Sequence, residues 1–211
     1  MSWSRVFQTV IDLALLLLLI AGVDYAQSTL AEKPMGQFFA QNAYVSGIAI
    51  QLATKASVPI GIENLPGAER KVDFSIEDAT LGRALDTLIA LDSRYQWKET
   101  QGVIDILPKD HHASVFDVLI ERFDIENASS PEMVQQLLKT KAVSEYLRAH
   151  RITAGTWMAG SVSAYKLRSL AVRNETLRDA LNHALTQTQS CAWSSSPDHR
   201  DGVDYLWFQA W

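Results

Sequence analysis

Two short clusters hold the residues best equipped for chemistry in this chain of 211 residues: Asp110-His111-His112 and Asp198-His199-Arg200-Asp201. Histidine beside an acid is the raw material of a metal site or a proton relay. Adjacent histidines on extended backbone point to opposite sides, so His111 and His112 share a metal only if the chain bends. No second group of ligands follows that cluster at metal-binding spacing. The first cluster therefore reads as a polar linker. The second reads as a solvated turn, with cation binding by its two acids and histidine as the sharper alternative. His183 follows Asn182 on the outward side of a helix. No G-x-S-x-G elbow exists to activate a serine, and Gly160-Ser161-Val162-Ser163 is a flexible stretch. A phosphate loop of the G-x-x-x-x-G-K-[ST] type is also missing. Glycosidase-type carboxylate pairs leave no trace in sequence, because distant acids can converge in the fold. Cys191 is the single cysteine, which excludes an intramolecular disulfide. Its place before Trp193 suits a small buried hydrophobe. Catalysis, a metal and a cofactor are all expected to be absent.

Composition narrows the class further. Apolar residues make up 47% of the chain, enough for a globular core. The net charge of −5 comes with scattered basic residues, which argues against a nucleic-acid binder. The N-terminus reads as an export signal. Arg5 supplies the positive start, Leu13 to Val23 an unbroken apolar run, and Ala26-Gln27-Ser28 a small-x-small cleavage site. An uncleaved anchor is the alternative, but spanning a bilayer takes about 20 apolar residues. Extending the run backward meets Asp12, Thr9 and Gln8. The expected location is the periplasm, or the inner membrane facing it if the segment stays attached.

The elements that must position these residues are written partly in duplicate. Phe74, Ile76, Thr80, Leu81, Ala84, Leu85, Ile89 and Trp97 recur 96 positions later as Leu170, Val172, Thr176, Leu177, Ala180, Leu181, Leu185 and Trp193. An internal repeat constrains the architecture before any local reading does. Its residues are strand faces, a helix cap, a helix stripe and an aromatic, so it specifies packing.

Along the chain, Val45, Ile48, Ala49 and Leu52 form one helical stripe within an expected helix from about Gln37 to Ala56. Val58 to Ile62 suits a short strand, and Pro59 predicts that it lies on a sheet edge. Val72, Phe74 and Ile76 alternate with polar residues as a half-buried strand. A helix capped by Asp78 or Thr80 follows, then a hairpin from Tyr95 to Pro108. Lys109 to Ser114 is polar linker. Val115 to Ile125 predicts a strand, with a bulge near Arg122-Phe123. Asn127-Ala128-Ser129-Ser130-Pro131-Glu132 makes a helix start, with a serine cap, Pro131 at the first helical position and an early acid, and the stripe breaks near Thr140 to give two helices. Ile152 to Ala164 reads as loop. The Thr176-x-x-Asp179 capping box opens a helix striped by Leu177, Leu181 and Leu185. A hairpin with a long Ser194 to Gly202 loop ends the chain.

The run Val72-Asp73-Phe74-Ser75-Ile76-Glu77-Asp78-Ala79-Thr80-Leu81-Gly82-Arg83-Ala84-Leu85, with Tyr95-x-Trp97 and Gly102-Val103-Ile104-Asp105-Ile106, resembles the short N-terminal (STN) domain of secretins and TonB-dependent receptors. The resemblance is best over 45–108 and weaker over 117–211. It implies two helices packed on a small sheet, protein contacts in the periplasm and no catalysis. The chain has no room after the repeat for a secretin pore domain or a receptor barrel.

The fold expected is α+β: two related βα units, 37–108 and 117–211, joined by a linker at 109–116, each with helices on a small mixed sheet. The expected function is binding an envelope protein, by strand addition to an exposed edge or by docking on a helical face. Val58, Ile60 and Ile62 are the candidate edge. Trp207, Phe208 and Trp211 are a candidate aromatic patch, with packing between the units as the plainer role for them. The competing class is a small-ligand binder or hydrolase with a cleft between the units, lined by the Ser194–Gly202 and Asp110–His112 segments. Self-assembly through sheet edges is a third.

Overall fold

A computed structural model describes residues 29–66, 70–110, 113–158, 168–188 and 192–210. The expected signal or anchor at 1–28 lies outside them. In chain order the elements are β1 (Pro34–Tyr44), α1 (Val45–Ala56), β2 (Ile60–Glu63), β3 (Lys71–Thr80), α2 (Leu81–Leu91), β4 (Tyr95–Thr100), β5 (Val103–Pro108), β6 (Leu119–Ala128), α3 (Ser130–Leu138), α4 (Lys141–Ala149), β7 (Ile152–Met158), β8 (Arg168–Thr176), α5 (Leu177–Thr188), β9 (Ala192–Arg200) and β10 (Val203–Ala210). Short 3-10 turns occupy Leu30–Glu32 and Val115–Asp117. The fold is α+β, as the sequence predicts.

One six-stranded sheet, ordered β4-β5-β2-β9-β10-β7, takes three strands from each half of the chain. Two antiparallel pairs, β1-β3 and β6-β8, stand apart from it. Neighbouring residues on the six-stranded sheet alternate between two cores. Ile104 and Ile106 join the core of the first half, while Val103 joins that of the second. Likewise Ala192 faces the first core and Trp193 the second. Because successive strand residues point to opposite faces, the two cores lie on opposite sides of the sheet. α1 and α2 cover one face; α3, α4 and α5 serve the other.

The helices start where local chemistry puts them. Thr80 Oγ1 accepts the Arg83 amide at 3.3 Å. Thr176 Oγ1 accepts the Asp179 amide at 3.1 Å and donates to the Asp179 carboxylate at 2.6 Å. The Ser129 amide and hydroxyl both donate to Glu132, at 2.8 and 2.7 Å, and these bonds hold that carboxyl below its usual pKa. The break between α3 and α4 falls at Thr140, as expected. The stripe Val45, Ile48, Ala49 and Leu52 is fully buried.

Several expectations need correction. Residues 37–44 belong to a strand, and the helix begins only at Val45. Phe39 points outward, 71% exposed, and hides the alternation that would have revealed β1. β7 is a strand where a loop was expected. Gly155 fits there because the Trp207 ring fills the space a Cβ would take. The β6 irregularity falls between Ile125 and Ala128, where Asn127 has φ 51°, not at Arg122-Phe123. Ser194–Gly202 is not a long loop. β9 and β10 pair up to Arg200 and Val203, and Asp201-Gly202 (φ 53° and 77°) closes a two-residue turn. Gln101-Gly102 (φ 52° and 75°) closes the first hairpin the same way. The extra residues lengthen the arms of the hairpin. Within 109–116, Val115 and Phe116 are buried in the second core, so the linker is shorter than expected.

Candidate interaction site

The seam between the halves is the pairing of β2 with β9. The strands run parallel, with Ile60 opposite Ala192, Gly61 opposite Trp193 and Glu63 opposite Ser195. A Cβ on Gly61 would sit 2.6 Å from the Trp193 indole, so the ring lies over bare glycine backbone. Trp193 Nε1 donates to Asn182 Oδ1 at 2.8 Å, and Asn182 Nδ2 donates to Asp105 Oδ1 at 2.9 Å. This chain of bonds reaches from the second half into β5 of the first. Beside it, Arg178 and Glu63 form a largely buried ion pair at 2.5 Å. The Arg178 guanidinium also lies 5.1 Å from the centre of the Phe116 ring, and Phe116 stacks on Trp193 at 5.5 Å.

Asp105 is 1% exposed, and its Oδ2 has no hydrogen-bond partner among the described residues. Desolvation raises its pKa, opposed by the Asn182 bond and by Arg178 and Lys98. A raised acid pKa in the fold means destabilisation above that pKa, relieved as pH falls toward the unfolded value of about 3.9. Asp92 behaves oppositely. Hydrogen bonding from Arg94 lowers its pKa, so its contribution is lost only below that same unfolded value. The denaturation midpoint of the wild type is expected to rise from neutral pH toward about pH 4 relative to Asp105→Asn. Urea titrations of both proteins across that range check it, and a difference that does not change with pH contradicts it.

The predicted edge residues lie elsewhere than expected. Val58, Ile60 and Ile62 are at most 1% exposed, and β2 pairs with β5 on one side and β9 on the other. Pro59 is harmless there because it precedes the first paired residue; its carbonyl accepts the Ile104 amide at 3.0 Å. The open edges of the six-stranded sheet, among the described residues, are β4 and β7. Phe208 is buried at 1% and belongs to the second core, which corrects its place in an exposed patch. Trp207 is half-buried and stacks on Tyr205 at 6.0 Å, with an interplanar angle of 6°. Trp211 lies outside the described residues, as do His111, His112, Cys191 and Gly160–Ser163.

Trp97 on β4 holds an intermediate place. It is half-buried, and its Nε1 donates to the exposed Asp86 carboxylate at 2.8 Å. On the other hairpin, the acids have local partners: His199 Nδ1 lies 2.7 Å from Asp204 Oδ1, and Arg200 pairs with Asp198 at 2.5 Å. No cluster of three ligands suited to a metal occurs among the described residues. His183 is half-buried, 3.6 Å from Glu175. A recess of about 790 Å³ is lined by Pro66, His150, Pro197, Asp198, His199 and Tyr205 among others; Asp110 takes no part in it.

Sequence reasoning missed Gly61, Glu63, Asp105, Arg178 and Asn182. One signal was available: Ile60-Gly61-Ile62 has no polar side chain on either face, which marks a strand covered on both sides. The chain has no significant match among protein-family models, curated proteins or solved structures.

Proposed function

We propose that the chain is an exported, non-catalytic module of the cell envelope that binds another protein by strand addition. The observation that carries this reading is the sheet with two open edges among the described residues, β4 and β7. An open edge offers unpaired amides and carbonyls, and edge pairing supplies affinity without a preformed pocket. The N-terminal segment with Arg5 and Leu13–Val23 supports export, and no described helix is long and apolar enough to cross a membrane. The resemblance to the N-terminal domains of secretins and TonB-dependent receptors supports a periplasmic partner in secretion or outer-membrane transport.

A photoreactive residue at Gln96 on β4, or at Thr153 on β7, tests the reading in living cells. At least one is expected to give a discrete adduct with an envelope protein, in excess of that from the exposed Glu145 on α4. Equal labelling from all three positions would sink it.

A small-ligand binder is the second reading, and the recess beside β9 and β10 favours it. Among the described residues its lining offers two histidines and two acids.

A further inference from the structure

β4 and β9 occupy matching positions: each follows a helix and opens a two-residue hairpin. Trp97 and Trp193 stand 96 positions apart, as do their hydrogen-bond acceptors Asp86 and Asn182. Both bonds measure 2.8 Å, so each indole is tied to its own helix in the same way. The helix starts match too. The Leu81 amide donates to Lys33 O at 2.8 Å, and the Leu177 amide to Val118 O at 2.9 Å.

The two sites differ in what lies beyond them. β9 is followed in the sheet by β2, whose Gly61 admits the indole, and Trp193 is 1% exposed. Among the described residues β4 ends the sheet, and Trp97 stays half-exposed beside the exposed Asp86. Two residues before the matched carbonyls, the second half has Phe116 stacked on Trp193, while the first half has the small Ala31. The β4 edge thus carries the tryptophan and its tether without the strand that covers their counterparts.

We infer that the β4 edge accepts an extended strand of a partner protein, parallel to β4, with glycine opposite Trp97 and apolar residues on either side. The inference rests on the strand-addition reading and names the edge and the partner's chemistry. Ile60-Gly61-Ile62 on β9 is the template. The open strand β7 of another copy is the wrong donor. Ile60 and Ile152 each pair with the second residue after a hairpin glycine, Ile104 and Asp204 respectively. By that alignment β7 carries Thr153 where β2 carries Gly61, and a Cβ there meets the indole.

The test uses the protein purified from cells expressing the full chain, and a peptide with the sequence of residues 58–63, Val-Pro-Ile-Gly-Ile-Glu. The readout is the indole N–H resonance of Trp97, assigned by its loss in Trp97→Phe. Saturable movement of that resonance is expected. The peptide with Gly61→Val is expected to bind about tenfold more weakly or worse, as overpacking against the ring requires. A silent Trp97 resonance, equal binding of both peptides, or movement of the Trp193 resonance alone overturns the inference. Adducts from Thr153 together with a silent Trp97 would leave the envelope reading standing and remove this assignment.

Discussion

Gly61→Val is expected to destabilise the protein by about 3 kcal/mol, at the upper end for overpacking. The Trp193 ring atoms stand 2.6–2.7 Å from the position of a Cβ on Gly61. That ring cannot swing aside. It is 1% exposed, stacked on Phe116 and tethered to Asn182. Relief must come from separating β2 from β9, the pairing that joins the two halves. Gly155→Val offers the control. The Trp207 ring comes equally near, at 2.5 Å, but it is only half-buried and lies on the outermost pair of the sheet, where β7 can shift with less loss of core packing. About 1 kcal/mol is expected there. Urea denaturation of both variants decides the matter; equal losses would mean that Trp193 is not confined as described.

The second large effect is expected from Glu63→Ala, about 3–5 kcal/mol. The Glu63 and Arg178 side chains are 12% and 8% exposed, so removing the carboxylate strands a guanidinium away from water. The penalty belongs to the orphaned charge more than to the lost contact. Replacing both partners, Glu63→Ala with Arg178→Met, should therefore recover much of the loss. A double variant as unstable as the sum of the singles would show that the pair acts by another route.

The elements written by periodicity and capping were the legible ones. The stripe Val45–Leu52 and the Thr176 cap are local chemistry, and the structure has them where the sequence puts them; α3 starts one residue before Pro131, because Ser129 and Glu132 close a capping box. The partnership of strands was not legible. Pro59 suggested an edge because proline lacks a donor, yet one residue of offset made that irrelevant to β2. Ile152–Ala164 reads as loop because the stretch is small, polar and glycine-bearing, although Gly155 is there to admit a ring from β10. The seam was the hardest part. Glu63 with Arg178, and Asp105 with Asn182, are separated by 115 and 77 residues, and no local pattern links them. What the repeat did offer was the matched pair Trp97 and Trp193. Only the sheet order reveals that one is covered by a strand and the other is not.

Amide hydrogen exchange, residue by residue, tests the central claim most directly. Among the described residues β2 and β9 lie in the middle of one sheet and β4 and β7 at its ends. Amides of Ile60, Ile62 and Trp193 should exchange only with global unfolding, while β4 and β7 should each retain a set of fast-exchanging amides along their outer sides. Fast exchange throughout β2, with full protection of β4, would contradict the shared sheet and the open acceptor edge together.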